Sequence, residues 1–147
     1  LHPTLPRVKL GAVAQLTPRP VGFRLLWSCT GGSGGSGLFV WRPLPPSDAF
    51  VTLGVVCTGS EVPPDLEQVR CVPSEWTSLC HPEASALVWR DDGLGGKPGS
   101  LWNSGSPPKA RLMAATSGHS PPADVRELAA RDFALGAWTP QAVSASL

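Results

Sequence analysis

Apolar residues gather along this chain in short extended runs. Residues 21–28, 38–42, 66–73 and 84–90 each read as a strand, bounded by glycine, proline or serine. Residues 49–57 form the clearest run. They are apolar on both faces and interrupted only by Gly54, which predicts a buried strand. Pro43-Leu44-Pro45-Pro46 mark a turn or sheet edge, because proline brings no N–H to a ladder. Residues 8–16 are a short extended candidate, and Pro18 and Pro20 deny this region a helix. Residues 74–81 predict a short helical or 3-10 turn, 91–108 mostly loop around Leu101-Trp102, and 111–116 a strand or short helix. One further helix is predicted over 124–133, with Asp124 as cap and Val125, Leu128, Ala129 and Phe133 on one side.

The runs share wording. Phe39-Val40-Trp41-Arg42 recurs as Leu87-Val88-Trp89-Arg90, and Phe23-Arg24-Leu25-Leu26-Trp27 is a weaker third opening. Pro63-Pro64-Asp65-Leu66-Glu67-Gln68-Val69-Arg70 follows the first copy, and Pro121-Pro122-Ala123-Asp124-Val125-Arg126 follows the second. The expected architecture is mainly β, a repeat-built β-prism or sandwich-like domain of two or three related units with one short C-terminal helix. The 147 residues suit a single domain over 1–147. The repeat makes Val125-Arg126 the partner of Val69-Arg70, which competes with the helix reading.

Residues 31–37, Gly-Gly-Ser-Gly-Gly-Ser-Gly, have flexible-linker composition and read as an engineered replacement for a longer loop. They mimic a Gly-x-Ser-x-Gly nucleophile elbow and a Gly-x-Gly-x-x-Gly fingerprint. Neither has its context, because a strand follows at once and no βαβ unit surrounds it.

Composition narrows the classes. Six tryptophans and 41% hydrophobic residues supply a core, and a net charge of +1 gives no bulk drive toward nucleic acid. No apolar run approaches the roughly 20 residues of a membrane helix. Opening at Leu1 without a basic-then-apolar leader is expected of a fragment or a processed chain. Cys29, Cys57, Cys71 and Cys80 form no Cys-x-x-Cys pair, so buried reduced thiols are preferred over disulfides, and disulfides over metal. No metal site and no cofactor are expected.

Trp27, Trp41 and Trp89 sit at matching places and are expected to fill the core. Neighbours on a strand face opposite ways, so buried tryptophans send Arg42 and Arg90 outward, with Arg24 also facing away from Trp27. Arg24, Arg42 and Arg90 are the candidate binding residues, a basic stripe for acidic headgroups or an acidic peptide. No catalytic residue is expected. His2, His81 and His119 lie far apart in sequence, Asp91-Asp92 point apart, and no nucleophile has a supporting motif.

Trp41-Arg42-Pro43-Leu44-Pro45-Pro46, Phe50-Val51-Thr52-Leu53-Gly54, Pro63-Pro64 and Val69-Arg70-Cys71-Val72 together form a recognisable string. It resembles the repeat of vacuolar protein sorting sixty-two-like proteins and of the adaptor-binding region of bridge-like, chorein-domain lipid-transfer proteins. The resemblance implies a non-catalytic, all-β interaction module of a larger membrane-trafficking or lipid-transfer protein. Its partner would be an extended, proline-containing peptide. Its place would be cytoplasmic, peripheral to endosomal or other organelle membranes. In the adaptor-binding repeats an asparagine recurs in each unit, whereas Asn103 is the single asparagine here. Rival readings are a peripheral module binding anionic lipid headgroups, a Ser/Cys–His hydrolase, and a sugar-binding β-prism.

Overall fold

Short apolar runs punctuated by proline and glycine produce short strands. A computed structural model describes residues 15–30, 37–91, 99–105 and 112–129. Within them lie β1 (Gly22–Cys29), β2 (Leu38–Leu44), β3 (Phe50–Val51), β4 (Val56–Thr58), β5 (Val72–Pro73), β6 (Thr77–Leu79), β7 (Ala86–Arg90), β8 (Ser100–Ser104), β9 (Leu112–Thr116) and β10 (Arg126–Leu128). Three 3-10 turns, Leu66–Gln68, Ser74–Trp76 and Pro82–Ala84, interrupt them. The fold is thus mainly β, as expected.

All described pairings are antiparallel. A first sheet has the order β1-β2-β4 and a second the order β7-β8-β9, while β3-β5 and β6-β10 are two-stranded ribbons. The two larger sheets correspond position by position. β1 is bulged between Leu25 and Trp27, and β7 between Leu87 and Trp89. Each bulge inserts one residue, Leu26 or Val88, and brings a tryptophan opposite an aliphatic residue of the central strand. Trp27 faces Val40, and Trp89 faces Leu101. Trp41 of β2 and Trp102 of β8 also correspond, facing Leu25 and Leu87. The structural matches are therefore Trp27 with Trp89 and Trp41 with Trp102, in place of the Trp41–Trp89 match suggested by wording.

The core follows from this register. Trp27, Val40, Leu101 and Ala115 are buried together, with Leu26, Leu38, Val55 and the half-buried Trp89 packed against them. The rings of Trp27 and Trp89 stack at 5.7 Å with 14° between planes. On the other face of β8 and β9, Trp102 and Ala114 pack with Cys80 and Val125. The second sheet is therefore covered on both faces. Each central-strand indole also meets a hydroxyl. Trp41 Nε1 donates to Thr58 Oγ1 at 2.8 Å, and that hydroxyl donates to the Ser60 carbonyl at 2.8 Å. Trp102 Nε1 donates to Ser100 Oγ at 2.8 Å, and Ser100 Oγ lies 2.7 Å from Thr116 Oγ1.

Several expectations are corrected. Residues 49–57 split at Gly54, whose φ is +83°. Their halves join different partners, β3 with β5 and β4 with β2. The run is consequently half-buried, with Cys57 exposed, rather than a buried strand. Over residues 66–73 a 3-10 turn capped by Asp65 precedes a strand of only two residues. Leu101-Trp102 lies in β8, the middle of a sheet, and not in a loop. The C-terminal helix is not formed where the structure describes it. Arg126–Leu128 pair with β6, and Cys80 N–H to the Val125 carbonyl and Ala129 N–H to the Trp76 carbonyl extend the ladder. Val125 and Glu127 are buried with a period of two, which a ladder satisfies and a helix does not. Residues 130–133 of that helix, residues 31–36 of the linker and residues 8–14 of the first extended candidate lie outside the described residues.

Gly54 is where the chain passes from one ribbon to the first sheet. Val55 N–H donates to the Met113 carbonyl at 3.0 Å, and a Cβ at Gly54 would lie 2.6 Å from that same oxygen. Gly54→Ala should destabilise the fold by about 1–2 kcal/mol through the left-handed backbone alone, with the clash adding to it. Gly59, with nothing within 4 Å of its virtual Cβ, is the control. Gly59→Ala should shift stability by less than about 0.5 kcal/mol in urea unfolding.

Candidate functional site

The end of the inter-sheet core carries the charged side chains. On β2, residues alternate faces, so Val40 and Arg42 share the inter-sheet face while Trp41 points to the opposite one. Because both faces of β2 are covered near Trp41 and Val40, a buried Trp41 does not leave Arg42 facing open solvent. Arg24 of β1 pairs directly opposite Arg42. The bulge at Leu26 puts Arg24 and Trp27 on the same face, where regular alternation would have separated them.

Arg42 Nη1 donates to Asp124 Oδ2 at 2.9 Å, tying the first sheet to the segment that enters β10. Arg24 makes no ion pair among the described residues. Two open clefts meet at this ion pair. One, about 230 Å³, has apolar walls from Phe50, Val51, Val55 and Ala115 and includes Arg126 at its edge. The other, about 460 Å³, is bounded by Arg24, Leu25, Leu26, Thr116 and Ser117. Arg42, Asp124 and Ala115 line both. Arg126 is held from behind, its Nε donating to Thr77 Oγ1 at 2.6 Å and its Nη2 to the Thr77 carbonyl at 3.2 Å.

Arg90 is elsewhere. It pairs with Ser100, on the face opposite Trp89 and Leu101, and it corresponds to Ser28 of β1, which pairs with Phe39. The structure thus gathers Arg24 and Arg42 and leaves Arg90 on another face of the other sheet, so the three do not form one stripe. Asp124 and the apolar wall were not anticipated. The available signal for Asp124 was the Pro-Pro phrase carrying an aspartate after each unit.

Little in the described residues resembles a nucleophilic centre. His81 is exposed, and the His119 ring lies 3.2 Å from the Asp91 carbonyl. Cys80 Sγ approaches the His81 carbonyl, not its ring. Desolvation pushes the Cys57 and Cys71 thiols above their ordinary value, opposite to the depression that activates a cysteine. All four cysteines are free, two of them buried. Among the described residues no cluster of three or more His, Cys, Asp or Glu could hold a metal, and no helix is long and apolar enough to cross a membrane.

The family described as vacuolar protein sorting-associated protein 62 matches residues 8–117. The chain belongs to this family. The vacuolar protein sorting-associated protein 62 match takes in β1 to β9, with both larger sheets, Arg24 and Arg42, and stops short of Asp124 and β10. The crystal structure of GNIP1Aa from Chromobacterium piscinae is similar, with a TM-score of 0.66 and 23% identity. The likeness covers 90% of this chain and 27% of that one, and at such identity it concerns the fold alone. No curated protein matches the chain.

Two expectations follow from the site. The Arg42–Asp124 side chains are 34% and 62% exposed, so solvent screens their attraction. Arg42→Ala should therefore change unfolding free energy by no more than about 1 kcal/mol, leaving a folded protein for binding studies. Thiols raised by burial retain their protons in the folded state where the unfolded chain loses them. Their contribution is complete below the ordinary value of 9.0 and is lost as pH rises through the higher folded values. Thermal midpoints should fall as pH is raised past 9.0, with a shallower alkaline slope in Cys71→Ala than in the wild type.

Proposed function

We propose that this chain is a non-catalytic interaction module of a larger membrane-trafficking or lipid-transfer protein, and that it captures an extended peptide along the paired clefts. The reading rests on one observation: an apolar cleft and a polar, cationic cleft meet at Arg42, Asp124 and Ala115 on the rim of the two packed sheets. An extended peptide sends alternate side chains to the same side, so adjoining pockets suit it. Membership of the vacuolar sorting family supports a trafficking context. The string of residues 38–73 adds its resemblance to adaptor-binding modules of bridge-like lipid-transfer proteins. On this reading the module works in the cytoplasm, peripheral to endosomal or other organelle membranes. The thiols of Cys57 and Cys71, raised by desolvation, are poor nucleophiles, and the non-catalytic reading takes them as packing residues.

A second reading, binding of anionic lipid headgroups, is favoured by Arg24 standing without an ion pair among the described residues. The two separate experimentally. Selection of proline-containing peptides from a display library should enrich sequences that protect backbone amides of Val51, Val55, Ala114 and Ala115 from exchange. Thr52→Arg, at the rim of the apolar cleft, should weaken those peptides about tenfold or more without a matching loss of thermal stability. Enrichment equal on wild type and Thr52→Arg would overturn peptide capture. Flotation with phosphatidylserine vesicles that falls steeply with salt would favour the lipid reading.

A further inference from the structure

We infer that the peptide taken by this module is acidic, with a carboxylate side chain seated between Arg24 and Arg42 and an apolar side chain two positions away in the cleft of Phe50, Val51 and Val55. The inference rests on the peptide-capturing reading above and specifies its partner.

Charge is the first argument. Arg24 and Arg42 stand directly opposite each other in the β1–β2 ladder. Like charges so placed repel. The carboxylate found beside them is Asp124, which reaches Arg42 and leaves Arg24 without an ion pair among the described residues. Arg126 also lines the neighbouring cleft, but its guanidinium is turned to Thr77. Two cations, Arg24 and Arg42, against one carboxylate, Asp124, leave this rim attractive to an incoming anion, within a chain whose overall charge is only +1.

Geometry is the second argument. The cleft bounded by Arg24 holds about 460 Å³, enough for a carboxylate side chain and its water. The adjoining cleft holds about 230 Å³ with apolar walls, the scale of one or two aliphatic side chains. They share Arg42, so the anion and the apolar group must be neighbours on one side of the ligand. Side chains at i and i+2 of an extended chain meet that condition. Asp124 shows the chemistry in place: an exposed carboxylate, carried on the bend that follows Pro121-Pro122, accepts from Arg42. An external carboxylate would accept from Arg24 and compete with Asp124 for Arg42.

The test is a cellulose-bound array of capped extended peptides pairing each Asp or Glu member with its Asn or Gln counterpart, an apolar residue lying two positions away. Affinities are then taken by fluorescence anisotropy at two salt concentrations. Acidic members should bind about tenfold or more tightly than their amide counterparts, the scale of one charge-assisted hydrogen bond. Arg24→Gln, at an exposed position in no ion pair among the described residues, should abolish that preference. Asp124→Asn should strengthen acidic members by removing the internal competitor. Equal binding of acid and amide members overturns the acidic assignment while peptide capture stands. A preference that survives Arg24→Gln also overturns it. Failure of every array member to bind, with phosphatidylserine vesicles bound instead, overturns both.

Discussion

Two tryptophan rings stacked at 5.7 Å hold the first sheet to the second, and the remaining structure is arranged around that contact. Neither ring would reach it on a regular strand. A bulge in β1 and another in β7 turn Trp27 and Trp89 toward each other. Gly99 sits beneath Trp27, where a Cβ would come within 2.5 Å of the ring, so β8 approaches only because that residue has no side chain. The Trp27 indole nitrogen is buried without a hydrogen-bond partner among the described residues. Leaving such a donor unpaired costs about 1–3 kcal/mol. Burying the ring contributes at most about 4–6 kcal/mol at the usual area coefficient, so packing wins.

The stack also decides where function can sit. Side chains on the inter-sheet face are apolar along the middle and become charged only past its end, at Arg24 and Arg42. The opposite faces of β8 and β9 are closed by Cys80 and Val125, and the central indoles there and on β2 are anchored by hydroxyls. What remains open is the rim, where the inter-sheet seam meets the segment leading into β10. The same bulge that builds the core turns Arg24 toward that rim.

Strands β1, β2 and β7 were readable because each shows a strand-length apolar run with clear punctuation, whereas residues 111–116, which hold β9, fitted a strand or a short helix equally. β8 was not readable, because Ser100, Asn103 and Ser104 look like loop residues. Their polarity is absorbed by partners remote in sequence: Ser100 by Thr116 and Ser104 by Ser85. The helix expected from Asp124 failed over residues 124–129 for a related reason. Val125, Leu128 and Ala129 fit a helical face locally, and only pairing with β6 selects extension. The shared Val-Trp-Arg wording correctly marked strands but matched a central strand with an edge one. A short string reports an apolar strand, while its place in the sheet depends on a bulge that leaves little trace in sequence. That error also misdirected the arginines. Arg90 seemed equivalent to Arg42, whereas it corresponds to Ser28.

The two sheets share a scaffold but differ at the rim. The positions in the second sheet that match Arg24 and Arg42 are Ala86 and Asn103, also paired with each other. Tryptophans recur at corresponding sites because packing demands them, and Thr58 and Thr116 recur beside them, the first taking the Trp41 indole directly and the second bonding the Ser100 hydroxyl that takes the Trp102 indole. The arginines do not recur, so the scaffold does not demand them. Placing two guanidinium groups opposite each other costs about 0.2–1 kcal/mol. The partly exposed contact with Asp124 returns no more than about 1 kcal/mol. Folding therefore gains almost nothing from this cluster, and alanine and asparagine serve the same positions in the second sheet. An arrangement with so little structural return is better explained by what it attracts: a negative charge brought by a partner to a rim that the fold leaves open.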